Sequence, residues 1–353
     1  MNKMLFVLSL IFIFSCVKEN NIIPTSHELK IKGADLSFLP MIESKNLVFY
    51  DHHEQPNNVL SILKNAGLNT VRVRIWHNPI DEHSGLNEVK QFSQRIHQAQ
   101  IKLWLCIHYS DTWADPGHQE MPVAWQGLPF NILKDSVFNY TKKIILQTQP
   151  EYVQIGNEIN SGILFPFGNL SSNESQFKEL LNEGIRAVRT FSPQTKIILH
   201  FAGHTNAQWF FNKMTSLDYD IIGLSYYPIW HGKDLNALKN NIEILSNSYN
   251  KEVVIAETAY PFTLTWNDWT NNIVGMENQL INTFPASEIG QKEFLTQLKN
   301  NLMLNEKAIG FCYWGAEYVS FNGPTATDGS PWENQALFNF NNKEVLATDL
   351  FRN

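Results

Sequence analysis

Two glutamates that each follow an apolar stretch are the residues of this sequence best suited to catalysis. Glu158 comes after the stretch 152–155 and stands beside Asn157, while Glu257 ends the stretch 253–256. In a parallel α/β barrel, catalytic side chains lie at the carboxyl ends of the strands. Two carboxyl groups brought together there can serve as acid/base and nucleophile in cleaving a glycosidic bond. For each glutamate taken alone, a salt-bridged residue at the barrel rim is the alternative interpretation.

Polar and aromatic residues at other strand ends are candidates for contacting the substrate. Arg72 and Arg74 alternate with apolar residues, so their side chains share one face of a strand. Because a buried arginine needs a carboxylate partner, we predict that Arg74 pairs with Glu257 and keeps it ionised; a purely structural ion pair is the alternative. The segment 108–117 is dense in polar and aromatic groups, and no histidine or cysteine spacing in it indicates a metal site. The predicted substrate-binding residues are Asp35, Arg74, His108, Asp111, Trp113, Asn157, Tyr226 and Trp314.

Predicted strands alternate with predicted helices along the whole chain, and this order would bring these residues together. The helices are recognised by apolar residues at helical spacing, as in the segment 86–99. The strands are predicted at 31–36, 70–76, 102–108, 152–155, 196–200, 221–226, 252–257 and 308–314. Eight such units predict a single α/β domain folded as a (β/α)₈ TIM barrel rather than an open doubly wound sheet. Long loops are expected after the third, seventh and eighth strands, on the catalytic side of the barrel.

Composition and length narrow the classes of protein to consider. The chain has 353 residues, enough for one large barrel, with 27 basic and 34 acidic residues and a net charge of −7. No basic cluster is present, which argues against a nucleic-acid partner. Cys106 and Cys312 lie in apolar, strand-like runs and are predicted to be free thiols in the core. We expect one catalytic domain over residues 29–353, acting as a monomer.

The first residues of the chain have the pattern of an export signal. Lys3 precedes the apolar run 4–14, which is too short to cross a bilayer and is typical of a secretory signal. Cys16 comes directly after Ser15, as the lipidated cysteine does in bacterial lipoprotein signals. We therefore predict a signal peptide over residues 1–15, lipidation of Cys16 and a tether over 16–28. A plain signal peptide is the alternative, because Phe14 replaces the usual small residue; in either case the protein is exported, and lipidation predicts an outer-membrane or surface lipoprotein.

Motifs along essentially the whole chain resemble glycoside hydrolase family 53, the arabinogalactan endo-β-1,4-galactanases. The most specific motif is the segment 108–116, His-Tyr-Ser-Asp-Thr-Trp-Ala-Asp-Pro, whereas the pair Asn157-Glu158 is shared by many retaining glycosidases. The other matching segments are 33–37, 70–76, 223–228 and 257–261. The resemblance implies a (β/α)₈ barrel with Glu158 as acid/base and Glu257 as nucleophile. It also implies endo-acting, retaining hydrolysis of β-1,4-galactan, a side chain of pectin.

Two departures from the family pattern concern product length and metal binding. The eighth strand is followed by Trp-Gly-Ala-Glu at 314–317, where relatives often have Trp-Glu-Pro, so product length stays open. Some bacterial relatives bind calcium after the seventh strand, where this chain offers Asn267, Asp268, Asn271 and Asn272. A single carboxylate suits calcium poorly, because this ion prefers several oxygen ligands with more negative charge. We therefore predict that no cofactor is required.

Two other functions remain open at this point. A retaining barrel hydrolase of another β-1,4-glycan, such as xylan or mannan, would need the same pair of carboxyl groups. A non-catalytic surface protein could use the same barrel to bind glycan without cleaving it. The motif at 108–116 favours galactan over the first alternative, and the presence of both Glu158 and Glu257 argues against the second.

Overall fold

Eight parallel strands close into a barrel in the computed structural model, which describes residues 27–352. The strands are β1 (Ile31–Asp35), β2 (Thr70–Ile75), β3 (Lys102–Ile107), β4 (Tyr152–Ile155), β5 (Lys196–Ala202), β6 (Ile221–Ser225), β7 (Glu252–Thr258) and β8 (Ala308–Tyr313). Their order around the barrel follows the chain, and β8 pairs with β1 to complete the closure. The strands are almost entirely buried, because side chains fill the inside and helices cover the outside. The predicted (β/α)₈ barrel is confirmed.

The longer helices cover the barrel because they turn an apolar face toward the strands. In the helix 86–98, Val89, Phe92 and Ile96 are buried and lie on one side at helical spacing. Side-chain caps define two of the helix starts: Asn58 accepts a hydrogen bond from the Ser61 amide, and Ser287 accepts one from the Gly290 amide. The helices are α1 (Leu39–Glu43), α2 (Val59–Ala66), α3 (Leu86–Gln98), α4 (Phe130–Thr148), α5 (Glu174–Phe191), α6 (Ala207–Lys213), α7 (Pro228–His231), α8 (Leu235–Tyr249) and α9 (Glu288–Met303).

The long loops follow β3, β7 and β8, as predicted, and all three lie at the carboxyl ends of the strands. The loops after β7 and β8 are joined to each other by hydrogen bonds. The Asn334 side chain donates to the carbonyls of Thr263 and Val274, and the Ile273 amide donates to the Pro331 carbonyl. These two loops therefore form one continuous wall at the mouth of the barrel.

The amino-terminal end of the described chain lies at the opposite end of the barrel. The ring nitrogens of His27 lie 3.0 Å from the Met303 carbonyl oxygen and 3.1 Å from that of Ala308, where β8 begins. The predicted signal peptide, the lipidation site at Cys16 and all but the last two residues of the tether lie outside the described residues. Within residues 27–352, none of the helices has the length and apolar character needed to cross a membrane.

Candidate active site

Glu158 and Glu257 face each other at the mouth of the barrel. Glu158 lies just beyond β4, and Glu257 lies near the end of β7. One carboxylate oxygen of each glutamate and one ring nitrogen of His200 lie within 4.8 Å of one another. Both glutamates line a cavity of about 560 Å³ formed by the loops at this end of the barrel. This geometry brings the two carboxyl groups together, as predicted from their positions at strand ends.

An unusual turn after β4 carries Glu158 into the cavity. Gly156 has φ +79° and Glu158 has φ +45°, so both adopt left-handed backbone conformations. A Cβ atom on Gly156 would lie 2.5 Å from the Cγ2 of Ile159, which leaves room only for glycine. Glutamate at positive φ stores backbone strain, and the surrounding structure must hold it in place. Asn157 helps to do so, because its side-chain amide donates to the Ala114 carbonyl at 2.8 Å.

Arg72 on β2 links Glu257 to the neighbouring polar side chains of the cavity. Its guanidinium donates to Asp35 Oδ2 at 2.7 Å and to Asn157 Oδ1 at 2.8 Å, and it forms an ion pair with Glu257 Oε1 at 2.8 Å. Tyr227 donates its hydroxyl to the other oxygen of Glu257 at 3.0 Å. Burial raises the pKa of Glu257, and the Arg72 cation and the Tyr227 hydroxyl oppose that rise because both stabilise the carboxylate.

Among residues 27–352, no cationic side chain lies at hydrogen-bond distance from Glu158. Its Oε1 accepts a hydrogen bond from the Ser225 hydroxyl at 2.5 Å. Desolvation and the neighbouring Glu257 raise the pKa of Glu158 to about 8. Two adjacent carboxyl groups do not both ionise readily, and the cation beside Glu257 decides which of them does. The surroundings of the pair therefore favour the proton on Glu158 and the negative charge on Glu257.

The predicted pairing of Arg74 with Glu257 is wrong, and Arg72 takes that position. The register between β1 and β2 aligns Arg72 with Asp35, which places its guanidinium level with the carboxyl groups. Arg74 lies nearer the mouth, where its guanidinium carbon is 4.1 Å from the centroid of the Phe38 ring and 4.4 Å from that of the Trp113 ring. Burial lowers the pKa of Arg74 to about 10, so it remains a cation at neutral pH. Arg74 thus supports aromatic rings of the cavity wall through cation–π contacts.

Most of the predicted substrate-binding residues line the cavity, and two do not. Asp111 is instead a loop anchor, whose carboxylate accepts hydrogen bonds from the amides of Asn78 and Val123. Tyr226 is fully buried and donates its hydroxyl to the Gly232 carbonyl. The adjacent Tyr227 reaches the cavity because successive side chains at a strand end point to opposite sides. The predicted residues that line the cavity are Asp35, Arg74, His108, Trp113, Asn157 and Trp314.

Aromatic rings from distant parts of the chain form much of the cavity wall. Trp314 after β8 lies 4.6 Å from Trp332, centroid to centroid, and Phe38 stacks on Tyr318 at 3.7 Å. Trp230 on α7 also lines the cavity with 54% of its surface exposed. Flat apolar faces of this kind suit the faces of sugar rings. Sequence reasoning did not identify Trp332, Phe38 or Tyr318, because they lie in loops without a periodic pattern.

Of the residues considered for calcium, Asp268 is already engaged in hydrogen bonds within the loops. The Asp268 carboxylate already accepts hydrogen bonds from the Thr270 amide at 2.7 Å and from the Ser320 hydroxyl at 2.8 Å. Calcium takes 6–8 oxygen ligands. A carboxylate whose two oxygens both accept hydrogen bonds is less able to serve as one of them. At the centre of the site, His200 stands close enough to both glutamates to share a metal ion with them. Its ring nitrogens, however, lie 3.0 Å from the Gln154 amide nitrogen and 2.9 Å from the Ser225 hydroxyl.

Comparisons of the sequence with known proteins identify its relatives. The sequence model of glycosyl hydrolase family 53 matches residues 31–351. An arabinogalactan endo-β-1,4-galactanase of Cellvibrio japonicus is 36% identical over 338 residues, covering 90% of this chain and 89% of the relative. An endo-β-1,4-galactanase of Bacillus subtilis is 30% identical over 372 residues, covering 91% and 85% respectively.

Solved structures agree with this relationship. The family 53 catalytic domain of Ignisphaera aggregans superposes with a TM-score of 0.86 at 33% identity, covering 93% of this chain and 98% of that domain. A fungal β-1,4-galactanase superposes with a TM-score of 0.80 at 26% identity, covering 92% of this chain and 99% of the fungal one. A family 113 β-1,4-mannanase, with a TM-score of 0.54 at 14% identity, shares the fold alone. The chain therefore belongs to glycosyl hydrolase family 53, and it is a glycoside hydrolase.

Proposed function

We propose that this hydrolase cleaves internal β-1,4 bonds of galactan by a retaining double displacement. The observation that carries the mechanism is the unequal surroundings of its two carboxyl groups: Arg72 pairs with Glu257, whereas a neutral hydroxyl meets Glu158. The two carboxyl groups approach within 4.8 Å between their nearest oxygens. This supports retention, because inverting enzymes hold their carboxyl groups ~6.5–9.5 Å apart to admit water. The choice of galactan is supported by the names of the Cellvibrio and Bacillus relatives.

In the first step, the Glu257 carboxylate attacks the anomeric carbon as the glycosidic bond breaks. Glu158 gives its proton to the departing oxygen, and the sugar becomes esterified to Glu257. In the second step, Glu158 takes a proton from water, which attacks the anomeric carbon and releases Glu257. The pKa of Glu158, about 8 in the free enzyme, suits the first step at neutral pH. Esterification removes the charge of Glu257, so the pKa of Glu158 should then fall and favour its action as a base.

The test of this function is an assay of the purified full-length chain in detergent on galactan, arabinogalactan, xylan and mannan. EDTA is present throughout, because we propose that no metal takes part. We expect galactan to be cleaved internally, and the first product to have the β configuration by proton NMR before mutarotation. An α product would exclude retention, preferred cleavage of xylan or mannan would change the substrate, and no turnover of any glycan would favour a binding protein.

Two variants assign the roles of the carboxyl groups. Glu257→Ala should abolish hydrolysis, and added azide should then give an α-glycosyl azide, because azide attacks in place of the nucleophile. Glu158→Ala should retain activity on an aryl galactoside with an acidic leaving group, which needs no proton, and azide should then give the β product. Exchange of these two behaviours between the variants would reverse the assignment.

A further inference from the structure

A buried hydroxyl group beside Glu158 has no part in the two steps above. Ser225 ends β6, is fully buried, and donates to Glu158 Oε1 at 2.5 Å. A register shift between β6 and β7 pairs Ser225 with Glu257 instead of Ala256. Shifts of this kind re-aim side chains and occur next to active sites. Here the shift places a serine hydroxyl against the carboxyl group that we propose as the acid.

His200 determines the direction of the Ser225 hydrogen bond. The side-chain amide of Gln154 lies 3.0 Å from His200 Nδ1, and the Glu158 amide lies 3.4 Å from the same nitrogen. Arg72 donates to the Gln154 carbonyl oxygen at 3.2 Å, so the amide nitrogen of Gln154 is the atom that faces His200. Asn157 Oδ1 also lies 3.2 Å from Nδ1, but that oxygen already accepts from Arg72 and Gln154. Because two donors face Nδ1, we assign it as an acceptor and place the ring proton on Nε2, 2.9 Å from the Ser225 oxygen. Burial lowers the pKa of His200 well below its usual range, which keeps the ring neutral.

The hydrogen bonds consequently run in one direction, from Gln154 to His200, then to Ser225 and finally to Glu158. Ser225 has a single hydroxyl hydrogen, and because its oxygen receives the His200 proton, that hydrogen goes to Glu158 Oε1. The carbonyl oxygen of a carboxylic acid is its better acceptor, so a protonated Glu158 whose Oε1 accepts a hydrogen bond favours its own proton on Oε2. The chain of bonds thus leaves Oε2 as the oxygen able to donate.

We propose that Ser225, oriented by His200, is a positioning residue that holds Glu158 with its proton on Oε2, directed at the leaving glycosidic oxygen. This inference rests on the proposed acid/base role of Glu158. The same hydroxyl stays a donor when Glu158 ionises, so it also stabilises the carboxylate that activates water in the second step. Ser225 carries no charge and acts only through Glu158.

Several charged groups face Glu158, and none of them is altered by removing the Ser225 hydroxyl. Glu257 on β7 and Asp115 after β3 disfavour its ionised form, whereas Arg72 on β2 favours it. The neutral ring of His200 approaches from β5. Ser225→Ala therefore removes one hydrogen-bond donor to the carboxylate and leaves the nearby charges in place. The pKa of Glu158 should rise, because the lost bond favours the ionised form more than the neutral one.

The direct measurement is a carbon-13 NMR titration of the Glu158 carboxyl group, assigned with Glu158→Gln. We expect the midpoint to move up by about one pH unit in Ser225→Ala, the size expected for a lost hydrogen bond to a charged group. Ser225→Thr keeps the hydroxyl and should restore the wild-type midpoint. Ser93→Ala is the matched control, because Ser93 is also buried but donates to the Val89 carbonyl within α3. Thermal melting of each variant checks the fold, and an unchanged midpoint in folded Ser225→Ala would overturn the proposal.

Kinetics on galactan separate this inference from the proposed function. In Ser225→Ala, kcat should fall about tenfold with KM unchanged. The basic limb of the kcat/KM profile should move to higher pH together with the Glu158 midpoint. If the wild-type basic limb follows Glu158 but neither moves in Ser225→Ala, the Ser225 proposal alone fails. If the Glu158 midpoint moves and the basic limb does not, Glu158 is not the acid, and both proposals fail.

Discussion

At the scale of single residues, Arg72 determines how the two carboxyl groups differ. Arg72 is 1% exposed, and its guanidinium reaches Asp35, Glu257 and Asn157 at once. A planar fork of donors can make these contacts together, whereas a point charge cannot. Without this cation, both glutamates would sit in similar buried surroundings and share their proton more evenly. In the proposed mechanism, the difference between the acid and the nucleophile therefore depends on Arg72, which performs neither role.

Arg72→Lys tests this dependence, because it keeps the charge and removes the fork. We expect kcat on galactan to fall by roughly 10²-fold, similar to the loss of one donor that stabilises a reacting charge. The acid limb of the kcat/KM profile should move to higher pH, since a weaker positive neighbour raises the pKa of Glu257. Arg74→Lys is the matched control on the same strand and should leave the acid limb in place. An acid limb that moves only in Arg74→Lys would contradict this account of the site.

At the scale of elements, the turn after β4 positions Glu158 at a cost in backbone strain. The strand itself ends at Ile155, and the left-handed conformations of Gly156 and Glu158 redirect the chain over the next three residues. Gly156 also lies against the side chains of Ile159 and Ile163, so the turn is packed as well as bent. Tight packing on one side and the Asn157 hydrogen bonds on the other hold the strained glutamate in place.

Gly156→Ala should therefore be far more harmful than alanine at another left-handed glycine. Gly127 has φ +77°, close to the +79° of Gly156, but a Cβ atom there would meet nothing within 4 Å. Gly127→Ala should lower the free energy of unfolding by about 1–3 kcal/mol through backbone strain alone. Gly156→Ala should cost about 1–3 kcal/mol more through overpacking, and should also lower kcat because Glu158 moves. Urea denaturation and galactan turnover measure both effects, and equal losses in the two variants would show that packing at Gly156 is unimportant.

At the scale of the whole molecule, the barrel separates the amino-terminal end of the described chain from the catalytic mouth. His27 contacts Met303 and Ala308 at the amino ends of the strands, while Glu158 and Glu257 lie at the carboxyl ends. We propose that the protein is exported and that Cys16 is acylated and holds it in a bacterial membrane. A tether that joins the barrel at this end would let the cavity face away from the membrane, toward a soluble polymer.

Cys16→Ser tests the proposed anchor without touching the barrel. We expect the variant to move from the membrane fraction to the soluble fraction, because a serine cannot receive the lipid. Its kcat/KM on soluble galactan should equal that of the wild type in detergent, since the cavity lies at the far end of the fold. Membrane association that is unchanged in Cys16→Ser would contradict lipidation at this residue, and a change in kcat/KM would contradict the separation of anchor and site.

The order of the residues along the chain is enough to predict the eight-stranded barrel, the three long loops and the placement of Glu158 and Glu257 at strand ends. These features depend on local patterns: apolar runs form buried strands, apolar residues at helical spacing form the covering helices, and the residues that follow a strand lie at the mouth. The family motif at 108–116 added the class of enzyme. Each of these inferences needs only neighbouring residues and the order of the elements.

Which side chains meet across the barrel depends on the three-dimensional structure. Arg72 and Arg74 share a face in the sequence pattern, but strand register aligns only Arg72 with Asp35 and so brings it to Glu257. Tyr227 rather than Tyr226 lines the cavity, where its hydroxyl donates to Glu257 on β7. The proton is favoured on Glu158 over Glu257 because a cation lies 2.8 Å from Glu257. These outcomes depend on distances between residues far apart in the chain, which no local pattern specifies.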